Sequence, residues 1–306
     1  MRVSSGRCSI PEPRLSVVVC THDRREDLAR CLDALAALDG PVEAIVVDSA
    51  SQPPCRDVVA AYAERLPGLV YLREDEPGLS RARNRGLTAA RGEIVAFVDD
   101  DAVPRPDWAH RIVAPFSADP LVGCVGGACE AAFGGVRRPS WLSDRLLQFA
   151  GITRIGADAR EARSSAEWPF GANVAFRASA LAAVEGPFPE RLGRHGTTLL
   201  SGEESAVIER VRDRGWKVWL EPGAIVDHTV HPDRCRSGYY WRRLWWAGVS
   251  RARATPGPTL LGLRLVAAAG VRFALYLVTL DRVHLYRTAE TAGYLAERVR
   301  PRRALA

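Results

Sequence analysis

The sequence predicts an α/β fold: a mostly parallel sheet flanked by helices, with a helical extension at the C-terminal end. Three observations predict it. The N-terminal third alternates short β-rich runs with helical segments in the order β-α-β-α-β-α-β, which implies right-handed crossovers and a sheet covered on both faces. An apolar run of strand length, residues 94–98 (Ile-Val-Ala-Phe-Val), stops abruptly in three carboxylates, Asp99, Asp100 and Asp101. Beyond residue 236 the pattern turns helical and strongly basic. The expected division is an α/β domain over residues 1–235 and a basic, amphipathic helical extension over residues 236–306.

Residues 15–20 (Leu-Ser-Val-Val-Val-Cys) read as the first strand. Asp23 with Glu26 three residues on gives a capping-box-like helix start. Leu28, Leu32, Leu35 and Leu38 mark one face of that helix, and Asp39-Gly40-Pro41 stops it. A strand at 42–47 runs into Asp48-Ser49-Ala50-Ser51. Helix 57–65, strand 69–72, helix 79–90 and strand 94–98 complete the alternation. Residues 105–200 look less regular, since Gly126-Gly127 and Gly134-Gly135 break short apolar runs. The polar stretch 156–167 reads as a mobile loop. Helix 203–214 and strands 217–220 and 224–226 follow, and residues 237–306 look mainly helical.

At 306 residues, with 47% hydrophobic and 25% charged residues, the chain can bury a full core and has an ordinary globular composition. Its net charge of +6 is unevenly placed. Between residues 234 and 306 fourteen arginines face only Asp281, Glu290 and Glu297, so that stretch carries about +11 and the remainder is slightly acidic. Seven cysteines without a Cys-x-x-Cys pair read as reduced, buried residues of a cytoplasmic protein. The N-terminus lacks the apolar core of a signal peptide. The run 260–280 comes closest to a membrane span, but Arg264 and Arg272 inside it are costly for a lipid-exposed helix. With Trp241, Trp245 and Trp246 upstream it reads either as an interfacial amphipathic helix at the inner face of the membrane or as an appendage packed on the core or a partner.

In parallel sheets of this kind, ligands sit beyond the carboxyl ends of the strands. Thr21, Asp48 and Asp99, Asp100 and Asp101 all fall there. Like charges so close at a sheet edge are costly unless a cation or donor network neutralises them. Mg²⁺ and Mn²⁺ take oxygen ligands and commonly bridge carboxylates to substrate phosphates. No Gly-x-x-x-x-Gly-Lys loop occurs and no Gly-x-Gly-x-x-Gly follows the first strand, which argues against a P-loop nucleotidase or a dinucleotide-binding dehydrogenase.

Seven segments then occur in order: Ser16-Val-Val-Val-Cys-Thr-His-Asp-Arg24, Val46-Val-Asp-Ser-Ala-Ser51, Pro77-Gly-Leu-Ser-Arg-Ala-Arg-Asn-Arg-Gly86, Phe97-Val-Asp-Asp-Asp101, Gly171-Ala-Asn-Val-Ala-Phe-Arg177, Gly202-Glu-Glu204 and Val226-Asp-His-Thr-Val-His-Pro-Asp-Arg234. Together they resemble a glycosyltransferase family 2 enzyme of the GT-A fold over about residues 14–250. The resemblance implies an inverting transferase that moves a sugar from a nucleoside-diphosphate sugar to a hydroxyl-type acceptor, with a divalent metal, Mn²⁺ or Mg²⁺, as cofactor.

The resemblance places Thr21, His22, Arg24 and Asp48 at the nucleoside of the donor, and Arg81, Arg83 and Asn84 along the donor site. Asp99, Asp100 and Asp101 match the Asp-x-Asp motif, where Asp99 contacts ribose or metal and Asp101 ligates the metal. His228 matches a histidine that often completes the metal or diphosphate site, and Arg234 and Arg236 stand near it. Trp168, Gly171 and Asn173 match a stretch bordering donor sugar and acceptor. Glu203-Glu204 stands where the family usually has Glu-Asp with a general base, so either is a candidate, Glu204 being at the Asp position. UDP-sugars are the default donor, with dTDP- and GDP-sugars fitting nearly as well. A lipid-linked glycan, a polymer or a small natural product all remain open as acceptor, and no nucleic acid is expected as a partner. A sugar-nucleotide pyrophosphorylase and a non-catalytic carbohydrate-binding protein are the alternative readings.

Overall fold

The valine-rich first strand is covered on both faces. Val17 and Val19 pack with Leu28, Leu32 and Leu35 in one apolar core, and Val18 packs with Ala82 in another. Side chains alternate across a strand, so a strand lying between two helical layers reads as a continuous apolar run. The computed structural model describes residues 14–185, 187–254 and 260–299. Cys8 and the N-terminal segment lie outside the described residues, as do the side chains of residues 260–266, Arg264 among them.

The chain begins β1 (Leu15–Thr21), α1 (Arg25–Ala36), β2 (Glu43–Ser49), α2 (Arg56–Ala60), β3 (Val70–Glu74), α3 (Leu79–Ala89) and β4 (Ile94–Asp99). It continues through β5 (Ala102–Pro104), α4 (Trp108–Ala118), β6 (Val122–Ala132), α5 (Asp144–Leu147), β7 (Arg160–Glu161), β8 (Asn173–Arg177), α6 (Ala178–Ala182), α7 (Glu203–Asp213) and β9 (Lys217–Thr229). Helices α8 (Ser237–Ala254), α9 (Leu260–Thr279) and α10 (Arg282–Val299) follow. One nine-stranded sheet runs β3-β2-β1-β4-β8-β6-β9-β5, with β7 paired to β9. The pairings of β1 with β2 and β4, and of β2 with β3, are parallel. Strand β8 enters antiparallel between β4 and β6, while β6 and β9 run parallel.

Several local expectations change. Helix α1 starts at Arg25 without a side-chain cap. Asp23 instead adopts a left-handed backbone (φ 55°), and its carboxylate accepts the Gln52 amide. Tertiary contact with the loop after β2 has taken over the would-be cap. Helix α2 stops at Ala60, five residues short of expectation, and the chain continues in turns. The polar stretch 156–167 is ordered: β7 pairs with β9, and Arg160 and Glu167 form a bidentate ion pair. The two expected strands at 217–226 are one long strand, β9, whose pairing with β6 shifts register midway.

Of the glycines taken as strand breakers, Gly134 and Gly135 form a turn beyond β6 as expected, but Gly126 and Gly127 lie inside that strand. A Cβ at Gly126 would stand 2.1 Å from Pro169 Cβ, and one at Gly127 would stand 2.1 Å from the Ala224 carbonyl oxygen. Glycine is what lets the neighbouring backbone come that close. A third apolar core joins Leu142, Leu146 and Leu147 to Val230, to Tyr240 and Leu244 of α8, and to Val283 and Tyr286 of α10. Two helices of the C-terminal extension are thus packed on the α/β unit. Helix α9 differs: Val271, Phe273, Leu275, Leu277 and Val278 are all exposed.

Candidate active site

Beyond the carboxyl ends of β1 and β4 lies a cleft of about 490 Å³. Thr21, His22 and Arg24 follow β1 into its wall, Ser49 ends β2 there, and Asp99 and Asp100 end β4. The opposite wall comes from residues 194–205 and from Arg243 of α8.

The chain turns sharply after β4, so the three carboxylates point to different partners. Asp99 is partly exposed to the cleft and lies 3.3 Å from an Arg83 guanidinium nitrogen. Asp100 accepts hydrogen bonds from Thr21 Oγ1 (2.8 Å) and Arg24 (3.1 Å). Asp101 is buried; Arg24 (2.9 Å) and Arg234 (2.8 Å) both donate to its Oδ2. His228 Nε2 lies 3.2 Å from Asp101 Oδ1. Burial pushes Asp100 up to about 7, with the neighbouring Asp101 charge adding to the rise against the pull of Arg24. Burial also works against the charge on Asp101, but His228, Arg234 and Arg24 together hold that carboxyl below the ordinary range. Burial lowers His228, which favours the neutral imidazole that a metal ligand needs.

Asp99, Asp101 and His228 each offer a ligand atom, all within 4.8 Å of one another. Asp101 Oδ1 and His228 Nδ1 are buried without a hydrogen-bond partner. Orphaned buried acceptors are rare because each forfeits solvation. Two carboxylates and an imidazole with unused lone pairs therefore fit a divalent cation. Arg234 donates to Asp101 and to the Ala150 carbonyl, so it orients a ligand, while Arg236 is exposed and away from the cleft wall.

The two glutamates at the start of α7 part company. Glu203 is buried and its Oε1 takes a 2.7 Å hydrogen bond from Arg83. Burial and the Glu204 charge push Glu203 up to about 8, against the attraction of Arg83. Glu204 lines the cleft, and its Oε2 is buried with no hydrogen-bond partner. Glu203 also lines the cleft and its Oε2 likewise has no partner, but only Glu203 is tied to an arginine, which leaves both Glu204 oxygens without a hydrogen bond among the described residues. Gly171 also borders the cleft; a Cβ there would stand 2.3 Å from the Arg83 guanidinium, so glycine leaves room for that arginine.

Five of the residues expected at the site are occupied elsewhere. Asp48 is fully buried; its oxygens take the amides of Ser51 and Cys55 and the Tyr71 hydroxyl, and Arg73 lies 3.0 Å away. It staples the loop after β2, and Ser49, the next residue, faces the cleft in its stead. Arg81 pairs with Glu76 and Glu190 on the outer side of α3. Asn84 exchanges two hydrogen bonds with the Phe188 backbone and so ties α3 to the following segment. Trp168 packs on the second apolar core. Asn173 has no exposure, and three hydrogen bonds to Trp108, Ala128 and Ala224 consume its amide. Asp48, Asn84 and Asn173 are thus engaged in hydrogen bonds within the fold and Trp168 in apolar packing, whereas the ion pairs of Arg81 are exposed.

Arg194 and Arg243 were not singled out by the sequence reading. The one signal for Arg243 is a pair of arginines, Arg242-Arg243, interrupting the aromatic face Tyr239-Tyr240-Trp241 and Trp245-Trp246.

Residues 16–179, more than half of the chain, match the family described as Glycosyl transferase family 2. The chain belongs to that family and is a glycosyltransferase of GT-A fold, which displaces the pyrophosphorylase and binding-protein alternatives. It is 25% identical over 244 residues to the glucosyl-dolichyl phosphate glucuronosyltransferase of Haloferax volcanii, covering 78% of this chain and 76% of that one. Among solved structures it resembles the mannosyltransferase PcManGT from Pyrobaculum calidifontis in complex with GDP-Man and Mn²⁺. The identity there is 24%, with a TM-score of 0.59, over 94% of this chain and 86% of that one. It also resembles S. aureus TarS 1-349 in complex with UDP, at 17% identity and a TM-score of 0.55, over 93% of this chain and 90% of that one. Of a longer TarS chain it spans 43%.

Proposed function

We propose that this chain is a divalent-metal-dependent, inverting glycosyltransferase that moves a sugar from a nucleoside-diphosphate sugar, UDP-sugars favoured, to a hydroxyl acceptor. The observation that carries this reading is one cleft lined both by Asp99, a member of the Asp99–Asp101–His228 ligand set, and by Glu204, whose carboxylate makes no hydrogen bond among the described residues. The mixed oxygen and nitrogen donor set suits Mn²⁺ better than Mg²⁺, which prefers all-oxygen surroundings. Bound there, the cation would neutralise the donor diphosphate and the charge that grows on it as it leaves.

The chain's own residues do the rest. Thr21 and Arg24 fix Asp100, and Arg83 fixes Asp99. His22 and Ser49 line the side on which the nucleoside would lie. Glu204 accepts the acceptor hydroxyl proton as its oxygen attacks the anomeric carbon. The sugar–phosphate C–O bond breaks on the opposite face, inverting the carbon and releasing the nucleoside diphosphate.

We further propose a cytoplasmic enzyme that touches an anionic membrane surface through α9. Its apolar side chains are exposed, the stretch 234–306 carries about +11, and, among the described residues, no helix is long and apolar enough to cross a membrane. Flotation with phosphatidylglycerol vesicles tests this: Leu277→Glu should release the protein, and unchanged flotation would refute it.

The donor reading is tested by thermal shift with UDP, dTDP and GDP, with and without Mn²⁺, since a ligand that binds only the native state raises the melting temperature. One of them should act in a Mn²⁺-dependent way. No response to any would sink the reading.

A further inference from the structure

Among the described residues, four arginines line the cleft, and two of them are tied by ion pairs to its carboxylates. Arg24 is neutralised by Asp100 and Asp101, and Arg83 by Asp99 and Glu203. Two arginines remain. The Arg194 side chain borders the cleft and, among the described residues, makes no hydrogen bond or ion pair there. Arg243 reaches in from α8, where its one hydrogen bond is to Ser201 Oγ (3.2 Å), and its Nε is buried without a partner. Burial lowers its guanidinium below the ordinary range, with the Arg194 charge acting in the same direction and Tyr239, Glu204 and Glu203 only partly opposing it. A cation desolvated beside a like charge is costly unless an anion arrives to share it.

Both arginines line the cleft together with Glu204, and the Glu203 and Glu204 charges act on Arg243. The loop bearing Arg194 is tied to α3 at one end and to α8, which bears Arg243, at the other. Leu79 donates its amide to the Arg194 carbonyl (2.9 Å), and Ser201 donates its amide to Ser250 Oγ of α8 (3.0 Å). Two guanidinium groups lining one cleft present several N–H donors to one tetrahedral anion.

We propose that Arg194 and Arg243 form an anion subsite on the Glu204 side of the cleft, which holds a phosphate carried by the acceptor. The acceptor is then a phosphate-linked glycan or lipid, not a neutral polymer. This rests on the reading of the cleft as a glycosyl transfer site with Glu204 as base.

The test uses the full chain saturated with UDP and Mn²⁺, titrated calorimetrically with decyl phosphate, glucose 1-phosphate and decanol. Decyl phosphate should bind alongside the nucleotide. Arg243→Gln or Arg194→Gln should weaken it about 10- to 100-fold, the loss of one charge-assisted bond, with Arg243→Lys intermediate. Decanol should not depend on either arginine. Glucose 1-phosphate binding as tightly as decyl phosphate would identify a soluble sugar phosphate as the source, and much weaker binding a lipid phosphate. Competition between decyl phosphate and UDP, or a UDP–Mn²⁺ affinity that falls with the arginines, would assign them to the donor diphosphate and overturn the proposal. Undiminished decyl phosphate binding in both glutamine variants would also overturn it. If no nucleoside diphosphate binds while decyl phosphate still depends on Arg243, the donor reading fails and the subsite stands.

Discussion

Replacing Asn173 by alanine separates two accounts of this residue. In the structure its amide is a buried cross-link: Oδ1 accepts from the Trp108 indole (2.9 Å), and Nδ2 donates to the carbonyls of Ala128 (2.9 Å) and Ala224 (2.8 Å). These contacts tie β8 to α4, β6 and β9 at a residue with no exposure. Each such bond contributes about 1 kcal/mol net, and a stranded buried partner costs roughly 1–3 kcal/mol. With Trp108 itself fully buried, its indole N–H has no route to water. The sum for Asn173→Ala is about 3–5 kcal/mol, which corresponds to a fall in melting temperature of roughly 5–8 °C at this chain length. Thermal and urea unfolding followed by tryptophan fluorescence would measure it. A variant that unfolds like the parent but has lost sugar transfer would refute the structural account and restore Asn173 to the substrate.

Three further outcomes follow from the geometry. Glu204→Gln should lower kcat by about 10²- to 10⁴-fold, as expected for a lost general base, and leave the UDP–Mn²⁺ thermal shift in place. Glu203→Leu should instead destabilise the fold by roughly 1–3 kcal/mol, because it removes the buried acceptor of Arg83 and leaves that guanidinium only its longer contact to Asp99; a loss of kcat like that of Glu204→Gln with no loss of stability would contradict the division of roles. Asp99→Asn should weaken Mn²⁺ by more than roughly 100-fold, beyond the 10- to 100-fold typical of an outer-shell partner, while Asp101→Asn should lose both metal response and stability by leaving Arg234 and Arg24 short of a counter-charge. Burial raises Asp48, but hydrogen bonds from Ser51, Cys55 and Tyr71 outweigh it and hold the carboxyl below its usual range. That stability is present at neutral pH and lost as the solution falls through the native-state value, below about 4. Asp48→Asn should therefore be less stable at pH 7, with a shallower loss in acid; a parallel acid profile would count against the assignment.

The alternation of strands and helices to residue 99 was readable because each parallel strand is a short apolar run and each helix carries its own periodic face. The acidic triplet was readable for a similar reason: no buried strand ends in three carboxylates without something to hold them. The second half of the sheet was hidden. Strand β6 looks broken by Gly126-Gly127, yet those glycines are required by Pro169 and Ala224, which are remote in sequence. The 13-residue β9 likewise seemed to be two strands because its bulge depends on its partner.

Chain order and residue chemistry were thus enough for the family, the fold class and the position of the acidic triplet at the end of β4, since these rest on short-range patterns. Which polar side chains remain available for ligands depends on contacts across the whole molecule. Asp48, Asn84 and Asn173 differ from Asp99 and Glu204 in that distant partners have already used their hydrogen-bonding capacity. The same holds for Arg243, which comes from the C-terminal extension and reaches the cleft because α8 shares a core with residues 142–147. Spacing along the chain says nothing about such long-range satisfaction, and packing decides it.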